Sequence, residues 1–185
     1  MTTMTDTLSY SLSNAAYFAF SDIILTATLA EMEAASVWYF EAQEVAEDVA
    51  EILGVDLERG ASIVSAFSPR NRWSNNVAQA YAFANGLPVS GLSNNIRMAE
   101  AAKVSGFDAL KGQKTNAFAR AIAGDTDAVV IDVWMMRAAG MDTDSPNKGQ
   151  YWLLSEAIRK VAADHGITPR TAQALIWIIV RGSAN

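Results

Sequence analysis

The chain has 185 residues, 51% of them hydrophobic, enough to bury one core or two small lobes around a cleft, and a formal charge of −6. Without cysteine it holds no disulfide, thiolate-bound iron–sulfur cluster or thiolate zinc, and its single histidine, His165, cannot form an imidazole cluster. Residues 1–60 carry eleven acidic side chains against Arg59 alone, whereas residues 61–185 carry thirteen basic and nine acidic ones, so the total charge disfavours nucleic acid while the later region keeps a polyanion partner open.

Ala is by far the commonest residue, with Leu, Met and Glu as further helix formers, prolines number four, and no long β-branched alternation is present, which predicts an all-α chain. A single compact helical domain over 1–185 is expected, with an acidic helical region over 1–60. The opening "MTTMTDTLSYSLSN" lacks a basic stretch ahead of an apolar core, and no apolar run reaches membrane-spanning length. These features predict a soluble cytoplasmic protein with no membrane partner. No metal and no cofactor are expected.

The stretch 21–53 is too long for one ordinary helix and is predicted to break near "EMEAAS". Its second part, "VWYFEAQEVAEDVAEILG", sets Val37, Phe40, Val45, Val49 and Leu53 near one face with acids opposite, and stops at Gly54. Asp56 is placed to cap a short helix in "LERGASIVSAF". Ser68 and Pro69 break that helix, and another is predicted from about 74 to 85, closed by Gly86. The turn-rich "LPVSGLSNN" is the expected crossover between lobes. A helix over "NIRMAEAAK" and a turn, "SGFDAL", lead to a helix from 112 or 113 to 123, ended by Gly124. "AVVI" reads as a buried approach to Asp132, the expected N-cap of a short helix in "VWMMRAAG" closed by Gly140. "MDTDSPNKGQ" is loop, with no complete calcium-binding spacing. A helical pair over 148–181 finishes the chain, with helices at about 151–164 and, behind a Thr168 cap, 169–180.

Two residues raise a chemical question. Lys114 falls in the first turn of its helix, where the field opposes a cation, and reads either as a solvent lysine, a phosphate contact or a reactive amine. Asp132 reads as a cap, or as a cap that also works in a site. If "AVVI" runs back extended, seven residues span ~23 Å against ~16 Å for the preceding helix, so the two can approach each other. A neutral amine attacks a sugar carbon and forms a Schiff base, and a carboxylate stabilises positive charge on a sugar as a base departs. A carboxylate in direct contact would also favour the charged lysine.

Arg70, Asn71, Arg72, Trp73, Asn75 and Asn76 gather in "SPRNRWSNN" at a helix start. Arginines and asparagines reach phosphates or base edges, and Trp73 either stacks on an extruded base or anchors the core with the arginines as its wet rim. Trp38, Trp134, Trp152 and Trp177 sit in helical apolar patterns and are expected to pack. Arg137 looks buried and needs a partner or a route to solvent. His165 precedes Gly166 and is expected at a helix C-terminus. Arg170 and Arg181 read as nucleic-acid contacts or, being isolated, as solvated arginines.

"LKGQKTNAFARAIAG" followed by "AVVIDVWMMRAAG" resembles the helix-hairpin-helix DNA glycosylases of endonuclease III type, whose signature is a leucine, a glycine-containing hairpin, a lysine, a helix, an apolar run and a catalytic aspartate. The resemblance covers residues 110–140 and extends weakly to "ERGASIVSAFSPRNRWSNN". It implies a two-lobed helical fold with a central cleft, a glycosylase-like core over 61–140, and a base flipped out of double-stranded DNA. Asp132 would assist loss of the base and Lys114 would be the nucleophile of the bifunctional members. Lys111, Gly112, Gln113, Arg70, Arg72, Trp73 and Asn75 would contact the DNA. The hairpin departs from the family, because Gly112 is the only glycine between Leu110 and Lys114 where two normally hold a phosphate. The cluster-binding cysteines are absent, as in many members. The chain as a whole also resembles small bacteriophage-encoded proteins, which would place it in host cytoplasm. Two other classes compete: a non-catalytic DNA-binding protein that keeps the fold, and an interaction module whose acidic residues 1–60 meet a basic protein partner or mimic nucleic acid.

Overall fold

The structure, a computed structural model, describes the backbone of residues 4–182 and the side chains of residues 11–182. Among the described residues every regular element is helical: α1 (Met4–Leu25), α2 (Leu29–Leu53), α3 (Leu57–Ala66), α4 (Trp73–Ala84), α5 (Ser93–Ser105), a 3-10 turn (Gly106–Ala109), α6 (Gln113–Ile122), α7 (Val133–Ala138), α8 (Lys148–Asp164) and α9 (Pro169–Arg181). The all-α expectation holds. The chain forms two compact units, Met1–Trp38 with Val129–Ala184, and Tyr39–Ala128. We call them the terminal and the central unit. It passes between them inside α2 and after Ala128. "LPVSGLSNN" is therefore not the crossover, since the helices it joins, α4 and α5, both pack on α3 within the central unit.

The predicted break at "EMEAAS" is displaced. That stretch is unbroken helix, and the chain turns instead at residues 26–28. The reason is a capping box in "TLAE": the Thr28 amide donates to the Glu31 carboxylate at 2.8 Å and the Glu31 amide to the Thr28 hydroxyl at 3.3 Å. The apolar face of α2 is corrected too. Val37 and Phe40 are exposed, and Ala35, Tyr39, Ala42, Ala46 and Val49 are buried. Alanines form the inner stripe because a backbone must come close: a Cβ on Gly60 of α3 would collide with the Ala46 carbonyl oxygen and lie 2.9 Å from Ala50 Cβ.

In the central unit α3 is buried from Gly60 to Ala66 and is packed by α4, α5 and α6. Asp56 caps it as expected, accepting from the Arg59 amide at 2.9 Å. The Arg59 side chain and the Glu58 carboxylate bond Val104 and Phe107, which ties the start of α3 to the end of α5. In the terminal unit α8 packs on α1 and α9, and α7 on α9, around Phe20, Met135, Met136, Leu154, Ile158 and Ile176. Thr168 caps α9 ahead of Pro169, and an Asn147–Gln150 capping box starts α8.

Candidate active site

Asp132 stands at the end of an extended, buried run. Val129, Val130 and Ile131 are buried, and Tyr151 of α8 clamps them: its hydroxyl donates to the Val129 carbonyl at 2.9 Å and accepts from the Ile131 amide at 3.3 Å. Burial pushes the Tyr151 hydroxyl up to about 12, so it remains a donor across the neutral range. The chain then enters α7 through Asp132, whose Oδ1 accepts from the amides of Trp134 at 2.9 Å and Met135 at 3.1 Å. Its Oδ2 accepts from the Trp177 indole at 3.1 Å. Three N–H donors thus fix a half-buried carboxylate. Trp177 is itself held, with Trp38 5.9 Å away and the Arg181 guanidinium 4.5 Å above its ring.

The other candidates lie in the central unit. Gly112 is the N-cap of α6, extended at φ −78° and ψ 131°, with no side-chain cap bond. Lys111, Gly112 and Gln113 are exposed, and Lys114 is half-buried in the first turn as predicted. The turn before α6 is braced by Asn116, whose amide donates to the carbonyls of Phe107 at 2.9 Å and Leu110 at 3.3 Å. Ser65 donates to the Thr115 carbonyl at 2.7 Å and fixes α6 to α3.

Residues 68–76 reach the same helix. Trp73 opens α4 and meets Phe118 of α6 edge-on, centroids 6.3 Å apart, so one side of its ring is a packing contact. Arg70, Arg72 and Asn75 are exposed, Arg70 in the left-handed region at φ 56°. Asn71 supports the loop by donating to the Phe67 carbonyl at 3.0 Å and to Gln79 at 2.7 Å, and Asn95 donates to the Pro69 carbonyl at 3.2 Å. Two buried acceptors without a partner flank the segment, Ser68 Oγ and Asn76 Oδ1. The structure therefore brings Trp73 against α6, the helix that carries Lys114. Lys114 belongs to the central unit and Asp132 to the terminal one.

Other expectations are corrected. Trp152 is exposed rather than packed, because it lies on the outer side of α8. Arg137 is exposed and stacks on Trp134 at 4.8 Å, whereas Arg170, expected in solvent, is buried in the first turn of α9. His165 does close α8, as its C-cap. Trp177 packs as expected, but nothing in the sequence points to it as a donor to Asp132 or to Tyr151 as a clamp, since contacts 45 and 22 residues away leave no local pattern. Among the described residues no group of three or more His, Asp or Glu is placed to hold a metal ion. Among the described residues no single helix is long and apolar enough to cross a membrane, although Ser11–Leu25 of α1 and Leu29–Leu53 pass that test together as a pair bent by 113°.

Residues 7–184 match the model of a family described as a family of unknown function (DUF7178). The chain belongs to that family. No curated protein and no solved structure matches it. The match runs through residues of both units.

Proposed function

We propose that the protein is a DNA glycosylase that releases a modified or damaged base from double-stranded DNA, with an abasic-site lyase step carried by Lys114. The observation that carries the reading is the carriage of Asp132: a half-buried carboxylate, oriented by three N–H donors, at the end of a buried extended run that follows a lysine-headed helix. That order of elements is the one the helix-hairpin-helix resemblance implies. In the reaction the glycosidic bond breaks and its electron pair leaves with the base, which takes up a proton. Asp132 stabilises the positive charge left on the sugar. The Lys114 amine, once its ammonium proton has left, forms the new bond to the sugar carbon, and loss of a second proton and opening of the ring give a Schiff base. Trp73, Arg70, Arg72 and Asn75, with Lys111, Gly112 and Gln113 at the uncapped start of α6, hold the DNA.

One observation favours a second reading, a DNA-binding protein without chemistry: the same three donors make Asp132 a complete structural cap. Borohydride trapping on duplexes containing an abasic site or a modified base separates the two. The catalytic reading expects a covalent adduct that disappears in Lys114→Ala, and base release that falls at least about 100-fold in Asp132→Asn. Salt-sensitive duplex binding with no adduct, unchanged in Asp132→Asn, would establish the non-catalytic reading. Absence of duplex binding at low salt would sink both.

A further inference from the structure

We infer that the elbow joining α1 and α2 is a docking surface for a basic, amphipathic segment of a partner protein. Leu25 is 71% exposed and Leu29 79%, either side of the turn, with Met32 one helical turn on and Phe18 at 63% two turns back on the Leu25 face of α1. These residues all belong to the terminal unit. Their neighbours Phe20 and Ile24 are buried, so the exposed stripe is a second apolar face on a helix that already has its core face. Large exposed apolar residues grouped on successive turns either side of one elbow mark an interaction site rather than the single scattered ones normal on a surface. The elbow is also well fixed, by the Thr26 and Ala27 amides bonding the carbonyls of Ile23 and Ile24 and by the Thr28–Glu31 box.

Charge selects the occupant. Asp22, Glu31 and Glu33 are neighbours of the stripe in the chain, no basic residue precedes Arg59, and Lys160 of α8 reaches α1 over the Tyr17 ring, 4.3 Å from its centroid. The Thr28 amide holds Glu31 below the usual carboxylate range, which keeps its charge in mildly acid solution. A second copy of the chain would bring the same carboxylates against these, and an anionic bilayer surface would repel them. A helical segment with basic residues beside an apolar stripe both neutralises the carboxylates and covers Leu25 and Leu29. This surface is independent of Lys114 and Asp132.

The test uses the full chain and a labelled synthetic helix of about 18 residues with leucines on one face and lysines on the other. Wild-type protein should bind it, and Leu25→Ser/Leu29→Ser and Glu31→Gln/Glu33→Gln should each weaken binding at least about tenfold, while Lys114→Ala leaves it unchanged. Glutamine keeps the capping box, so the second variant isolates charge. Amide exchange on the wild-type complex should show new protection centred on residues 18–33, a readout that stands even if a variant fails to fold. No binding, equal binding by both variants, or protection centred elsewhere would overturn the proposal. So would preference for phosphatidylcholine–phosphatidylglycerol vesicles over the peptide, or a dimer that Leu25→Ser/Leu29→Ser dissolves.

Discussion

In the central unit α3 runs through the core as "GASIVSA", and helices approach until Gly60 lies against the backbone of Ala46. In the terminal unit the core is made of large side chains, Phe20, Ile131, Met135, Leu154 and Ile176, and polar side chains pin the chain between them. The helix starts differ as well. Asp132, Asn147 and Thr168 cap α7, α8 and α9 with side-chain bonds, whereas in the central unit only α3 has such a cap, from Asp56, and α4, α5 and α6 begin without one. Among the described residues the buried side-chain polar atoms without a hydrogen-bond partner, Ser62 Oγ, Ser68 Oγ and Asn76 Oδ1, are also central-unit atoms. Gly60 leaves no room for a larger residue, and the starts of α7, α8 and α9 each depend on a side-chain acceptor. One unit should therefore be most sensitive to added volume and the other to lost donors and acceptors.

Gly60→Ala tests the first half of that contrast and should have the largest effect, about 3 kcal/mol of destabilisation, because the new methyl meets backbone that cannot yield. Urea unfolding measures it, and a change under 1 kcal/mol would mean that α2 and α3 slide apart cheaply. Asp132→Ala comes next, at about 2 kcal/mol, since two α7 amides and the Trp177 indole lose their acceptor. Asp132→Asn should cost about half as much, because one oxygen still accepts. An equal loss in both would show that charge, not hydrogen bonding, holds α7.

Tyr151→Phe should cost about 1.5 kcal/mol at neutral pH by freeing the Val129 carbonyl and the Ile131 amide. It also carries a pH signature. The folded-state hydroxyl titrates near 12 and the unfolded one near 10.0, so its contribution is complete below pH 10 and is lost as the pH rises toward 12. Tyr81, raised to about 12 by its bond to Asp48, is only partly buried and adds a smaller slope that wild type and Tyr151→Phe share. Denaturant midpoints at pH 9 and 11 should therefore converge between wild type and Tyr151→Phe; parallel curves would contradict the assignment. Asn147→Ala should cost least, about 1 kcal/mol from one cap at an exposed helix start, visible as a small shift in thermal midpoint.

Local punctuation was legible in the chain: Asp56, Asp132 and Thr168 as caps, Gly86, Gly124 and Gly140 as stops with positive φ, and "AVVI" as a buried approach. Each rests on neighbours within a few residues. "TLAE" and "NKGQ" carried the same kind of signal and locate two further helix starts. The inner face of α2 was misread because hydrophobicity alone ranks Phe40 above Ala42, while burial followed the need for close backbone approach at Gly60.

Of the candidate site, residue identities and their helical positions came from the chain itself: Lys114 in a first turn, Asp132 at a cap, Trp73 at a helix start. Only tertiary structure decided that Tyr151 clamps the approach to Asp132, that Trp177 takes its second oxygen, and that Trp73 leans on Phe118. A sequence specifies what a side chain can donate or accept and where its helix begins. Which distant donor arrives depends on how whole helices pack, and that is settled by the fit of Gly60, Ala46 and the large terminal-unit side chains rather than by any local pattern.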